Sequence, residues 1–193
     1  RSEFLLTAIK HEQGLMSGQQ IMILSQNKSL LSYLYKAIQH RNMGTVGFYV
    51  GGMKDSALKA TEGCSIVLAT YAMAAEALDI KTLTTLFLAT PRTDVRQAVG
   101  RILREKHERP LVVEIVDMHD VFQSQWRKRL AYYRKQGYRV IEMSSDAYPN
   151  KGKWKDVSSG RTSKTRSAPR KYAGGGVQSG GACLLQLSAS DLE

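Results

Sequence analysis

The sequence predicts an α/β fold with a mostly parallel central sheet and helices on both faces. Three observations predict it. Short apolar runs alternate with amphipathic stretches of helical length up to about residue 143. Several of those runs are apolar throughout, as strands covered on both faces are. Turn residues punctuate the successive elements, and strands alternating with helices imply parallel pairing through right-handed crossovers.

Taken in order, residues 1 to about 11 read as a helix with Phe4, Leu5, Ala8 and Ile9 on one side, ending toward the turn at Gly14 to Gly18. The run Ile21-Met-Ile-Leu24 is a first strand, Ser25-Gln26-Asn27 a capped turn, and Leu30, Leu31, Leu34, Tyr35 and Ile38 recur at helical spacing. Residues 45–50 form a second strand stopped by Gly51-Gly52. Residues 55–61 form a short helix, and 65–69 a fully buried third strand. Residues 84–89 supply a fourth strand, ended by Pro91 before a helix around Gln97, and 111–116 supply a fifth. A last helix over 120–136 carries Phe122, Trp126, Leu130 and Tyr133 down one side, closes at Gly137, and is followed by an edge strand over 139–143.

Beyond about Tyr148 the composition turns to Lys, Arg, Ser and Gly with no hydrophobic period, and a disordered tail is expected there. The expected division is a domain over 1–147 and a basic tail over 148–193, whose Leu184-Leu185-Gln-Leu187 is too short to build anything alone.

The chain has 193 residues with 28 Lys and Arg against 17 Asp and Glu, a formal charge of +11 that favours polyanionic partners. No targeting sequence or long apolar run is present, so no membrane association is expected. The opening on Arg1 rather than Met suggests a piece of a longer polypeptide. Cys64 and Cys183 lie far apart and are expected as reduced thiols, Cys64 as a small buried apolar residue. His11, His40, His107 and His119 show no metal-ligand spacing, and no metal site is expected.

The stretch Gln97-Ala-Val-Gly-Arg-Ile-Leu-Arg104 carries the most chemistry. On a helix Gln97, Arg101 and Arg104 share one stripe while Val95, Val99, Ile102 and Leu103 fall opposite, so one face packs and the other presents two guanidinium forks. Such forks suit phosphates because they donate in pairs and stay charged at any working pH. Gly100 beside them leaves room for close approach. In a parallel sheet ligands gather beyond the carboxyl ends of the strands, where Ser25-Gln26-Asn27, Gly51-Gly52, Thr70 and Thr90-Pro91-Arg92 all fall. Arg127, Lys128, Arg129, Arg134 and Lys135 on the last helix read as a solvated face ahead of a groove lining, and Trp126, Tyr132 and Tyr133 as core ahead of a base-stacking surface, with Tyr132 the exception to watch.

The run Val67-Leu-Ala-Thr70 through Asp79-Ile80, then Thr85 to Pro91, then Gln97 to Arg104, resembles motifs V, Va and VI of superfamily 2 helicases, with a weaker motif IV at Leu24 to Asn27. The similarity is to the second, C-terminal RecA-like lobe and runs from about residue 1 to 143, nearest in pattern to the branch of large DNA viruses and phages related to XPB-like enzymes. It implies a three-layer RecA-like fold. It also implies that Arg101 and Arg104 act as arginine fingers toward the γ-phosphate of ATP, that Gln97 orders the same cleft, and that Asp79 lies near the ribose. Thr70, Ser25, Gln26, Asn27, Gly51 and Gly52 would grip a nucleic-acid backbone, DNA ahead of RNA. Ala77 stands where many relatives carry Gly, which weakens the Asp79 correspondence.

No Gly-x-x-x-x-Gly-Lys-Ser/Thr loop occurs, so ATP with Mg2+ would be held mainly by an N-terminal lobe of the same polypeptide, and this fragment alone should not hydrolyse it. The expected setting is cytoplasmic, nuclear or a viral replication compartment, not secreted. The rival readings are a non-catalytic RecA-like nucleic-acid-binding module and the translocating subunit of a restriction or remodelling complex. The tail cations Arg161, Lys164, Arg166, Arg170 and Lys171 could add sequence-blind affinity for phosphates or serve solubility.

Overall fold

The structure, a computed structural model, describes residues 1–15, 18–76, 80–102, 110–149, 153–159 and 181–186, with the backbone alone at 76, 101, 102 and 181–186. Its elements run α1 (Ser2–Leu15), β1 (Gln20–Ser25), α2 (Lys28–His40), β2 (Val46–Tyr49), α3 (Asp55–Glu62), β3 (Ile66–Thr70) and α4 (Tyr71–Glu76). They continue as β4 (Leu83–Leu88), α5 (Arg96–Ile102), β5 (Leu111–Val116), α6 (Asp120–Lys135), β6 (Arg139–Ser144), β7 (Lys155–Asp156) and β8 (Gly181–Gln186). The sheet order is β2-β3-β1-β4-β5-β8-β6-β7. The first five of these strands are all parallel, as their alternation with helices predicts.

Because side chains alternate along a strand, each central strand feeds two cores. Ile21 and Ile23 of β1, Ile66 and Leu68 of β3 and Phe87 of β4 pack with Leu5, Leu6 and Ile9 of α1 and Leu31, Leu34 and Ile38 of α2. Met22, Leu24, Val67, Ala69, Leu86 and Leu88 face the other way, onto Tyr71 and Ala74 of α4, Val95 just before α5 and Val99 within it, and Trp126 and Tyr133 of α6. Trp126 and Tyr133 are therefore core, as their spacing predicts. The α4 turn is an element that apolar periodicity does not signal, since Tyr-Ala-Met-Ala-Ala-Glu is too short and too Ala-rich to show one.

At the amino end of β1 the Gln20 amide donates to the carbonyls of Glu62 (2.7 Å) and Cys64 (2.8 Å) and accepts from the Thr82 hydroxyl (2.6 Å), clamping the ends of α3 and β4 to the central strand. Cys64 is only partly buried, contrary to expectation, because it sits in the α3–β3 connection, where backbone runs over the surface. The β2–α3 packing is close. Thr61 is buried and donates to the Phe48 carbonyl (3.0 Å) and, in a shared geometry, the Ala57 carbonyl (3.1 Å), and a Cβ added at Gly47 would lie 2.7 Å from its Oγ1.

One polar cluster lies inside this framework. Glu114, the lone acid of the apolar β5, is 1% exposed, and the Arg129 guanidinium on α6 meets it with Nε 2.9 Å from Oε2 while itself only 4% exposed. The Tyr133 hydroxyl donates to the other carboxylate oxygen, and Arg129 stacks toward Trp126 at 5.8 Å. Burial pushes the Glu114 carboxyl upward in pKa, and the Arg129 charge and Tyr133 hydroxyl oppose that shift. Arg129 is thus a correction to the solvated basic face. A carboxylate forced into the sheet by its strand has no water to meet and takes a cation from the helix above. Arg134 also departs from that face by donating to the Val157 carbonyl (2.9 and 2.7 Å), while Arg127, Lys128 and Lys135 are exposed.

The chain continues to pack past residue 147. Tyr148 is buried against Phe4 and His11, and Trp154 stacks edge-on to it at 6.0 Å. Within the stretch expected to lack structure, β7 pairs with β6, and β8 runs antiparallel between β5 and β6 with Val113 opposite Leu184 and Ile141 on its other side. The physical reason is that β5 and β6 each present an open row of backbone groups, which the apolar Ala-Cys-Leu-Leu stretch satisfies from both sides. The tail cations Arg161, Lys164, Arg166, Arg170 and Lys171 lie outside the described residues. Among the described residues no helix is long and apolar enough to cross a membrane.

Two substitutions follow from this packing. Glu114→Ala leaves the Arg129 charge buried and unpaired, and chemical denaturation should show a loss of about 3–5 kcal/mol. Gly47→Ala forces the stiff Thr61 side chain aside and should cost about 1–3 kcal/mol, part of it recovered when Thr61→Ser removes the crowding methyl.

Candidate functional site

The parallel register brings the carboxyl ends of the strands to one level. Ser25 stands opposite Thr70, Leu24 opposite both Ala69 and Leu88, and Tyr49 opposite Ala69, so the loops after β1, β2, β3 and β4 open on a common rim. Hydrogen bonds join the segments after β1, β3 and β4 across the strands. The Gln26 amide donates to Thr90 Oγ1 (3.0 Å), and the Tyr71 hydroxyl, at the start of α4, donates to the Thr90 carbonyl (2.7 Å). Desolvation pushes the Tyr71 phenol well above its ordinary pKa, so it stays a neutral donor.

After β1, Asn27 caps α2, its side-chain oxygen accepting from the amides of Ser29 (2.9 Å) and Leu30 (3.2 Å), which is the role its place before the helix predicts. Ser25 ends β1. Its side chain is fully buried and exchanges bonds with the Asn27 backbone, so it shapes the turn and leaves Gln26 and Asn27 as the exposed residues of this loop. A strand residue directed into the sheet interior cannot also face solvent. Gly51 and Gly52 are exposed in the turn after β2, where Gly52 adopts φ +89°, a conformation open to glycine at little cost. Thr70 ends β3 half-buried.

A cavity of about 410 Å³ lies between α4 and the start of α5, lined by Tyr71, Ala75, Arg92, Asp94, Arg96, Gln97 and Ala98. Gln97 is exposed there while Val95 and Val99 are buried at 3% and 0%, so the described part of α5 packs one face and presents the other. Arg101 belongs to α5 by its backbone, and Arg104 and Asp79 lie outside the described residues.

Sequence reasoning placed Arg92 on the rim and passed over two charged lining residues, Asp94 and Arg96. Arg92 stacks its guanidinium 4.9 Å from the Tyr71 ring, and Asp94 accepts from Arg96 through both Nε (3.0 Å) and Nη2 (2.5 Å). The Arg96 bonds hold the Asp94 carboxyl down at about 2, so this exposed pair stays ionised and is lost only as pH falls from the ordinary carboxylate range toward that value. The available signal was local: two arginines and an aspartate within five residues after a buried strand. Among the described residues, no group of three or more His, Cys, Asp or Glu side chains could hold a metal ion.

The cavity offers cationic forks and an amide around a space of ligand size, a donor set that suits a polyphosphate. Comparison with known proteins gives the family. A protein of Acanthamoeba polyphaga mimivirus that carries the name of an ATP-dependent RNA helicase is 39% identical over 145 residues, covering 72% of this chain and 28% of the relative. An African swine fever virus protein of the same name is 30% identical over 151 residues, covering 73% and 29%. The chain therefore spans under a third of the length of these curated relatives. No family model matches it. In fold it is similar to the C-terminal domain of Saccharomyces cerevisiae Dbp5, solved with Gle1 and IP6 (TM-score 0.54, 15% identity, 71% of this chain and 80% of that one). It is also similar to the C-terminal part of the Fun30 ATPase domain (TM-score 0.53, 8% identity, 65% and 44%). By fold, motif order and relatives, the chain belongs to the superfamily 2 helicases, as their C-terminal RecA-like lobe.

Proposed function

We propose that the chain is one motor lobe of an ATP-dependent nucleic-acid helicase or translocase, working against a second RecA-like lobe of the same polypeptide. The observation that carries the reading is the placement of α5. Its packed face anchors it to the sheet, and its open face lines a cavity bordered by Arg92, Arg96 and Gln97 at the rim where the strand ends meet.

In this reading ATP, with a divalent ion, is held mainly on the other lobe and is bridged to this one by Arg101 and Arg104. Their guanidinium groups stabilise the charge that develops as the γ-phosphoryl group departs. Gln97 orders the same cleft, and Asp79 meets the ribose. Thr70, Gln26, Asn27, Gly51 and Gly52 grip the phosphate backbone along the rim, with Ser25 fixing the turn that presents them. Backbone contacts of this kind carry no base sequence. The relatives are named as RNA helicases, so the expected preference for DNA has no support, and the proposed substrate is nucleic acid of either kind. Closure on ATP and reopening after hydrolysis would alternate the grip of the two lobes and move the strand.

The test is the ATPase of the intact polypeptide with single-stranded RNA or DNA. Arg101→Ala should lower turnover by about a thousandfold or more while ATP binding changes only a few-fold. Parental turnover in that variant removes the arginine-finger assignment. A strand-displacement assay run beside it separates a helicase from a translocase.

A further inference from the structure

Residues 90–94, which lead from β4 into α5, are held from several sides. Thr90 receives bonds from Tyr71 and Gln26, and the Arg92 side chain stacks on the Tyr71 ring. The Arg92 carbonyl accepts a 2.5 Å bond from Nη1 of Arg129, the arginine whose Nε is engaged by Glu114. Helix α5 begins four residues later, at Arg96, so there is little chain in which a displacement at Arg92 could be absorbed.

We infer that Arg129 is a positioning residue for the proposed ATPase site: its fork, aimed by Glu114 and Tyr133, fixes the loop that sets where α5 presents Gln97. The geometry needs a guanidinium. One planar group donates along two directions at once, from Nε to a carboxylate and from Nη1 to a carbonyl, whereas an ammonium is a single point with rotatable donors. Core stability alone does not account for the arrangement, because apolar side chains of similar volume commonly replace a buried ion pair without loss. What they cannot supply is a directed donor to the Arg92 carbonyl. Phosphoryl transfer is sensitive to such placement, since a shift of about 1 Å at a reacting centre can cost a hundredfold in rate.

The catalytic half of this inference rests on the proposed function, and the experiment keeps the two apart. The intact polypeptide is compared with its Glu114→Leu/Arg129→Met/Tyr133→Phe variant, which removes the pair and its hydroxyl together and leaves no buried charge, and with Arg129→Lys, which keeps the ion pair. The triple variant should unfold within a few degrees of the parent. Its amides at residues 92–99 should exchange about tenfold faster or more, with β1 and β3 unchanged. Its kcat should fall about 10–100-fold while the Kd for ATP shifts less than about threefold. Arg129→Lys should move the same readings in the same direction by less, and it carries the test alone if the triple variant does not fold. Parental exchange over 92–99 in a folded variant overturns the inference whatever the ATPase does, and so does parental kcat. A parent without nucleic-acid-dependent ATP turnover fails the proposed function instead, and with it the catalytic half alone.

Discussion

The bond between Glu114 and Arg129 is the constraint on which the working end of the lobe depends. Glu114 is committed to the interior by its neighbours, because β5 is buried along its whole length and hydrogen-bonded in parallel to β4. A carboxylate in that position requires a cation, and α6 supplies one from above while Tyr133 satisfies the second oxygen. The remaining arm of the guanidinium then reaches the Arg92 carbonyl. Docking of α6, placement of the loop after β4 and the direction of α5 thus become one problem with one solution.

The parallel register does the same on a larger scale. Pairing β1 with both β3 and β4 sets three strand ends side by side, and the bonds from Gln26 and Tyr71 to Thr90 turn adjacent loops into a continuous rim. Two apolar cores lock the sheet from opposite faces, so the loops are the part of the structure with exposed polar groups and room to meet a ligand. Under the proposed function, a lobe pulled and released by a partner lobe would benefit from such a division between rigid body and rim.

Most of the fold was legible because periodicity reports burial. The runs at 21–24, 65–69 and 111–116 and the helical spacing of Leu31, Leu34 and Ile38 are direct records of which face meets the core. α4 escaped because six residues, three of them Ala, leave no period to read. β8 escaped because a short apolar stretch in a basic tail has meaning only once β5 and β6 offer their backbone edges to it. Arg129 was read as solvated since charge on an amphipathic helix usually is. The opposing sign lay 15 positions earlier, in the single acid of an apolar strand, and only the packing of α6 on β5 brings the two together. Gln97 could be assigned to an open face from its helical phase. The cavity around it could not, because Tyr71 reaches it from the helix after β3 and Arg92 from the loop after β4.

The side-chain signals of Arg129 test this account most directly. In nitrogen-detected NMR of the lobe near neutral pH, the Arg129 Nε proton should exchange far more slowly than that of the exposed Arg127 on the same helix. It should also show a coupling across its hydrogen bond to Glu114. An Arg129 Nε proton that exchanges as fast as Arg127 would mean that the guanidinium is solvated, and the link from α6 through Arg92 to α5 would be gone.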